Sequence, residues 1–89
     1  MIKVGDFEYE LIENFRECFD KDEFIELFTE YFHDFDYIVG DYAYNKLRLK
    51  GFYEDSNKKA KQFNKISGKD NYLKNNCAYS CRYFVLKKI

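Results

Sequence analysis

Three cations occupy alternate positions in Lys46-Leu47-Arg48-Leu49-Lys50. On an extended strand this spacing turns Lys46, Arg48 and Lys50 to one face at about 7 Å intervals and Leu47 and Leu49 to the other. That pitch is close to the phosphate spacing of a nucleic-acid strand, so the chemistry it suggests is anion contact. Lys58, Lys59, Lys61, Lys65 and Lys69 extend the patch, and Tyr53 and Phe63 offer stacking faces. The same row also suits a solvated strand face that discourages edge pairing, and both readings stay open.

Two further sets could do chemistry. Cys77 and Cys81 form a thiol pair; within one helical turn their separation would sit near the upper limit for a disulfide. Redox pairs are usually Cys-x-x-Cys, and Cys18, His33, Cys77 and Cys81 make a zinc set in number but contain only one close pair. Small buried hydrophobes are the plainer reading of these cysteines, and no metal or cofactor is expected. The second set is His33, Asp34, Asp36 and Asp41, a carboxylate cluster around the only histidine. It could hold a divalent ion or tune a base, yet helical phase puts His33 on a polar side with Glu26 and Glu30. No Ser-His-Asp or Cys-His arrangement and no glycine-rich phosphate loop is present, so binding is favoured over catalysis. The Gly40-Asp41 turn, with Tyr42 and Tyr44 beside it, is the best loop candidate for a contact surface.

These side chains need a scaffold, and the periodicity supplies one. Ile2-Lys3-Val4, Gly5-Asp6 and Phe7-Glu8-Tyr9-Glu10-Leu11 read as a hairpin with one core face and one acidic face. From residue 21 the period lengthens: Phe24, Leu27, Phe28, Tyr31 and Phe35 mark an amphipathic helix, with Asp20 and Glu23 as a capping box. Tyr37–Val39 is a short strand ending at Gly40-Asp41, and Lys46–Tyr53 a second. Ala60–Ile66 is a third, weaker strand, Asp70–Asn76 a short helix, and Arg82–Leu86 a closing strand. The predicted order is ββαβββαβ: a small single α+β domain over residues 1–89, with a mostly antiparallel sheet.

Composition narrows the class. Of 89 residues, 46% are apolar and 21% aromatic, with four glycines and no proline, which excludes a disordered or collagen-like chain. No apolar run is long enough to span a membrane, the N-terminus lacks a secretory core, and three cysteines suit a reducing compartment, so a cytoplasmic protein is expected. The net charge of −1 hides a split. Residues 1–45 carry 3 basic and 13 acidic side chains (3 − 13 = −10), and residues 46–89 carry 12 and 3 (12 − 3 = +9).

Asp36-Tyr37-Ile38-Val39-Gly40-Asp41 and Leu47-Arg48-Leu49-Lys50-Gly51-Phe52, with Cys77-Ala78-Tyr79-Ser80-Cys81 and Tyr83-Phe84-Val85-Leu86-Lys87 in the tail, resemble the YutD-like family of small bacterial proteins. Tyr42 stands where Trp is usual in that family, Ala43 and Asn45 where Gly is common, and Ser80 where Gly precedes the second cysteine. The resemblance implies a small α+β domain and brings no activity, substrate or cofactor with it.

The expectation is therefore a non-enzymatic binding or regulatory module. Its basic strand face (Lys46, Arg48, Lys50) contacts RNA or a ribonucleoprotein, with Gly40, Asp41, Tyr42 and Tyr44 as loop contacts. The alternatives are a protein-interaction module or weak homodimer that pairs acidic with basic halves, and thiol or metal chemistry at Cys77 and Cys81. A membrane partner is not expected.

Overall fold

Alternation of apolar and acidic side chains from Phe7 onward builds a strand. In the computed structural model, which describes residues 1–76 and 82–89, that strand is β2 (Phe7–Phe15), antiparallel to β1 (Ile2–Val4) across the Gly5-Asp6 turn. β2 runs past Leu11, through a bulge. Its register against β5 (Tyr83–Lys88) slips between Leu11 and Glu13, so Leu11 stands opposite Leu86 and Glu13 opposite Val85. The extra residue reverses the alternation. Tyr9 and Leu11 point into one core, while Glu13 and Phe15 reach Tyr83 on the other side of the sheet.

The five strands lie in the order β1-β2-β5-β3-β4, with every pair antiparallel; β3 is Tyr37–Ala43 and β4 is Lys46–Phe52. β5, the last strand in the chain, sits in the middle of the sheet and is covered on both faces, so Phe84, Val85 and Leu86 are all buried. On one face Tyr9, Ile38, Phe84 and Leu86 pack under α1 (Lys21–Leu27) through Phe24. On the other, Tyr37, Val39, Phe52 and Val85 pack under Ile66, Tyr72 and Leu73, the last two from α3 (Lys69–Asn76). No helix among the described residues is long and apolar enough to cross a membrane.

The α+β class and the antiparallel sheet agree with the sequence reading; several element boundaries differ. Asp20 caps α1, its carboxylate accepting the Asp22 and Glu23 amides at 3.0 and 3.2 Å. The single predicted helix is broken in two: Phe28 and Thr29 are extended, and α2 covers Glu30–His33. The break resets the helical phase. His33 is therefore not on a polar face with Glu26 and Glu30; its ring packs 4.2 Å from that of Phe7. The predicted strand over 60–66 is a series of turns that touches the sheet once, at a parallel bridge between Tyr53 and Lys65.

β3 does not end at Gly40-Asp41 but continues to Ala43. Gly40 is required there by close approach: a Cβ on it would lie 2.1 Å from Cζ of Phe84, its partner across the ladder. The turn falls instead at Tyr44-Asn45, where both residues have positive φ, 53° and 63°. Two consecutive left-handed residues give the twist that a two-residue hairpin needs.

Candidate functional site

β4 is an edge strand, and the alternation of Lys46, Arg48 and Lys50 is realised: all three stand on the face that carries Phe52. Their surroundings differ. Lys46 is exposed beside the hairpin tip, where Tyr44 is 98% exposed. Arg48 grips Asp41 on the neighbouring strand with two nitrogens, Nε to Oδ1 at 3.2 Å and Nη2 to Oδ2 at 2.8 Å. The Lys50 ammonium lies 5.2, 5.8 and 5.6 Å from the ring centres of Phe52, Phe63 and Tyr72, within cation–π range of each.

The proposed loop contacts separate. Gly40 and Asp41 are buried inside β3, not in a loop, because Phe84 occupies the space above Gly40 and Arg48 neutralises Asp41. Tyr42 is half-buried; its hydroxyl donates to Glu23 Oε1 at 2.6 Å and lies 3.1 Å from the Cys18 carbonyl oxygen, while the Arg82 guanidinium stacks 4.0 Å above its ring. Burial, helped by the bond to Glu23, pushes the Tyr42 phenol well above its usual range. Only Tyr44 is fully presented to solvent. Cys77 and Cys81 lie outside the described residues, and Cys18, half-buried, has its thiol pushed up by burial.

The acidic residues grouped by sequence are dispersed into structural roles. Asp36 accepts the Glu54 amide at 2.8 Å and Asn57 Nδ2 at 2.9 Å. Asp34 accepts the Tyr53 hydroxyl at 2.6 Å and Lys59 Nζ at 2.7 Å, and these bonds, Lys59 first, hold its carboxyl below the usual range. The donated protons keep the phenols neutral: Tyr53 is pushed up to about 12 by Asp34, and Tyr37 to about 12 by its 2.6 Å bond to Glu54. Together they tie residues 53–59 to the segment before β3 and the start of β3, and the Tyr53 N–H, donating to Asn64 O at 2.7 Å, holds the chain next to Phe63.

Between that segment and α2 a groove of about 360 Å³ follows the outer edge of β4. Leu49 and Gly51 form its floor. Tyr31 and Phe35 make one wall, and Phe63 and Tyr72, with Arg48 and Lys50, make the other. Tyr31 and Phe63 are 67% and 69% exposed. The apolar period puts Tyr31 and Phe35 on the core face of a helix; Phe35 is indeed buried, Tyr31 is not, and nothing in the sequence singles out Tyr72. The broken helix, which frees those rings from one continuous stripe, left no sign in the apolar pattern.

The charge split is partly absorbed by the topology. Placing β5 between β2 and β3 sets Lys87 opposite Glu10. Ion pairs Arg48–Asp41, Lys59–Asp34 and Lys69–Glu13 also join the two halves. Lys46, Lys58 and Lys61 are exposed and make no ion pair with a described residue.

Comparison with known proteins places these features in a family. The family model described as "Putative antitoxin YutD-like" matches residues 3–87. "Putative antitoxin YutD" of Bacillus subtilis (strain 168) is 44% identical over 89 residues, which is 100% of this chain and 98% of that protein. The solution NMR structure of protein yutD from B. subtilis superposes with a TM-score of 0.84 at 44% identity, covering 100% of this chain and 81% of that one.

Proposed function

Since the chain belongs to the YutD-like family, we propose that it works by binding, as a cytoplasmic antitoxin-type module that occupies an acidic surface of a protein partner. The observation that carries this reading is the groove at the open edge of β4, with aromatic rings on both walls and cations on one. A module that neutralises by contact needs such a surface and no reacting group. Interfaces of this kind are anchored by aromatic residues and Arg, with charge setting the choice of partner.

Site-directed photocrosslinking in cells tests it. A photoreactive residue at Phe63 is expected to trap one protein species, and the same residue at Lys3, on the far edge strand β1, is expected to trap none. Equal trapping at both positions would remove the reading.

Contact with RNA is a second reading, favoured by Lys46, Arg48 and Lys50 sharing one face beside the exposed Tyr44. With Arg48 held by Asp41, two phosphates neutralised by Lys46 and Lys50 would weaken binding about 12-fold between 50 and 200 mM salt. Lys46→Gln/Lys50→Gln, which leaves the Arg48–Asp41 pair in place, should flatten that slope; an unchanged slope rejects this reading.

A further inference from the structure

Ala43 and Lys46 close the two-residue turn and form a hydrogen-bonded pair. Alternation along an antiparallel ladder then directs the backbone N–H and C=O of Lys46, Arg48, Lys50 and Phe52 toward β3. Those of Leu47, Leu49, Gly51 and Tyr53 point out of the sheet. At Tyr53 the outward groups are used: its N–H donates to Asn64 O at 2.7 Å and its carbonyl accepts the Ile66 N–H at 2.8 Å. At Leu49, half-buried on the groove floor, no such backbone bond is made with a described residue, while Gly51 beside it is buried under the ring of Phe35. The edge thus begins to accept a neighbouring strand and stops where the groove opens.

We infer that the groove is a strand-addition site for an extended peptide segment of the partner in which apolar and acidic residues alternate. The inference rests on the protein-binding reading above and specifies its mode. A strand beside β4 sends successive side chains to opposite faces of the sheet. One set meets Tyr31 and Phe35; the other meets Arg48, Lys50, Phe63 and Tyr72. The first wall suits apolar side chains and the second suits carboxylates. Gly51 brings no side chain of its own, since the ring of Phe35 already fills that position: a Cβ there would lie 2.1 Å from Phe35 Cδ2.

Charge selects against a second copy of this chain. Antiparallel pairing of β4 with another β4 would bring Lys46 and Lys50 of both copies onto one face, and like charges opposite each other oppose pairing. An acidic strand gains from the same row.

The test uses the whole isotope-labelled chain and a capped synthetic peptide of about eight residues alternating Val and Asp, long enough to pass Leu47–Gly51. Binding should slow amide exchange at Leu49. A Val/Lys peptide should bind at least about tenfold more weakly, and replacing one edge-facing peptide N–H by an ester should weaken binding about fivefold, the value of one hydrogen bond. Val/Asp binding that leaves the Leu49 amide unchanged, or equal binding of the Val/Lys peptide, overturns strand addition while crosslinking at Phe63 still upholds a protein partner. Failure of the Val/Asp peptide to bind, with Phe63 crosslinks intact, does the same. Edge protection by the peptide without any Phe63 crosslink in cells upholds the mode and counts against the protein partner alone.

Discussion

Arg48 and Asp41 face each other across β3 and β4 in a two-pronged ion pair whose ends differ: Asp41 is 1% exposed and the Arg48 side chain 41%. The pair ties the cationic row of β4 to the core, and its asymmetry decides what each substitution costs. Arg48→Gln leaves a carboxylate in the interior without its guanidinium, whereas after Asp41→Asn the arginine can turn to water. Removing one partner of a buried pair costs about 3–5 kcal/mol, reduced here to about 2–3 because water reaches the Arg48 end; loss at Asp41→Asn should be about 1 kcal/mol. Urea unfolding of the two variants checks the order. Equal losses would mean that the pair behaves as an ordinary surface contact.

Gly40 tests close approach rather than backbone freedom. Its φ is not in the left-handed region, so alanine is conformationally acceptable there, but the new Cβ would collide with the ring of Phe84, which is fully buried. Gly40→Ala should destabilise by about 2–3 kcal/mol through overpacking. In the background of Phe84→Leu the same change should cost less, and thermal unfolding of the double-mutant cycle measures the coupling.

Tyr9 is fully buried, and its hydroxyl has no hydrogen-bond partner among the described residues; burial pushes the phenol up to about 12. A buried unpaired polar group costs about 1–3 kcal/mol, so Tyr9→Phe should stabilise the chain by about 1 kcal/mol or more. A destabilised variant would point to a partner for that hydroxyl.

The pH dependence has a separate signature at each end. Asp34 and Asp55 are held below 3.8, Asp34 chiefly by Lys59 and Asp55 chiefly by Ser67, so their contributions are present above the unfolded value and vanish as pH falls through the folded ones. Tyr37 and Tyr53 are raised from 10 to about 12, so theirs persist below pH 10 and are lost between pH 10 and about 12. Asp34→Asn should therefore flatten the acid limb of stability against pH. It should also return the Tyr53 phenolate absorbance change toward pH 10.

Tyr44 holds a φ of 53° at the hairpin tip, a conformation that bulky side chains rarely adopt, with its ring in solvent. Tyr44→Asn should raise stability by about 0.5–1 kcal/mol, because asparagine accepts that conformation. If the ring is a contact, partner crosslinking at Phe63 should weaken in the same variant.

Much of the scaffold was legible in the chain. Phe7 to Leu11 gave β2 through strict alternation, Asp20 and Glu23 marked the start of α1, and Lys46 to Lys50 gave the cationic face of β4, because these signals lie within a few residues. Signals that depend on distant partners were not legible. The Gly40-Asp41 pair resembles a turn until Phe84 and Arg48 arrive from β5 and β4, and nothing local in β2 announces the bulge that hands Glu13 to Tyr83 and Lys69.

By itself, then, the amino-acid order determined the types of most elements, the α+β class and the placing of three cations on one strand face, since all follow from local periodicity. Tertiary structure alone decided how those cations are used. Inserting β5 between β2 and β3 sets Lys87 opposite Glu10 and leaves β4 at an edge. There the outward backbone groups of Leu49 meet rings brought from residues 31, 35, 63 and 72. Strand order depends on which apolar faces can be buried together, a global condition that no short stretch of sequence contains.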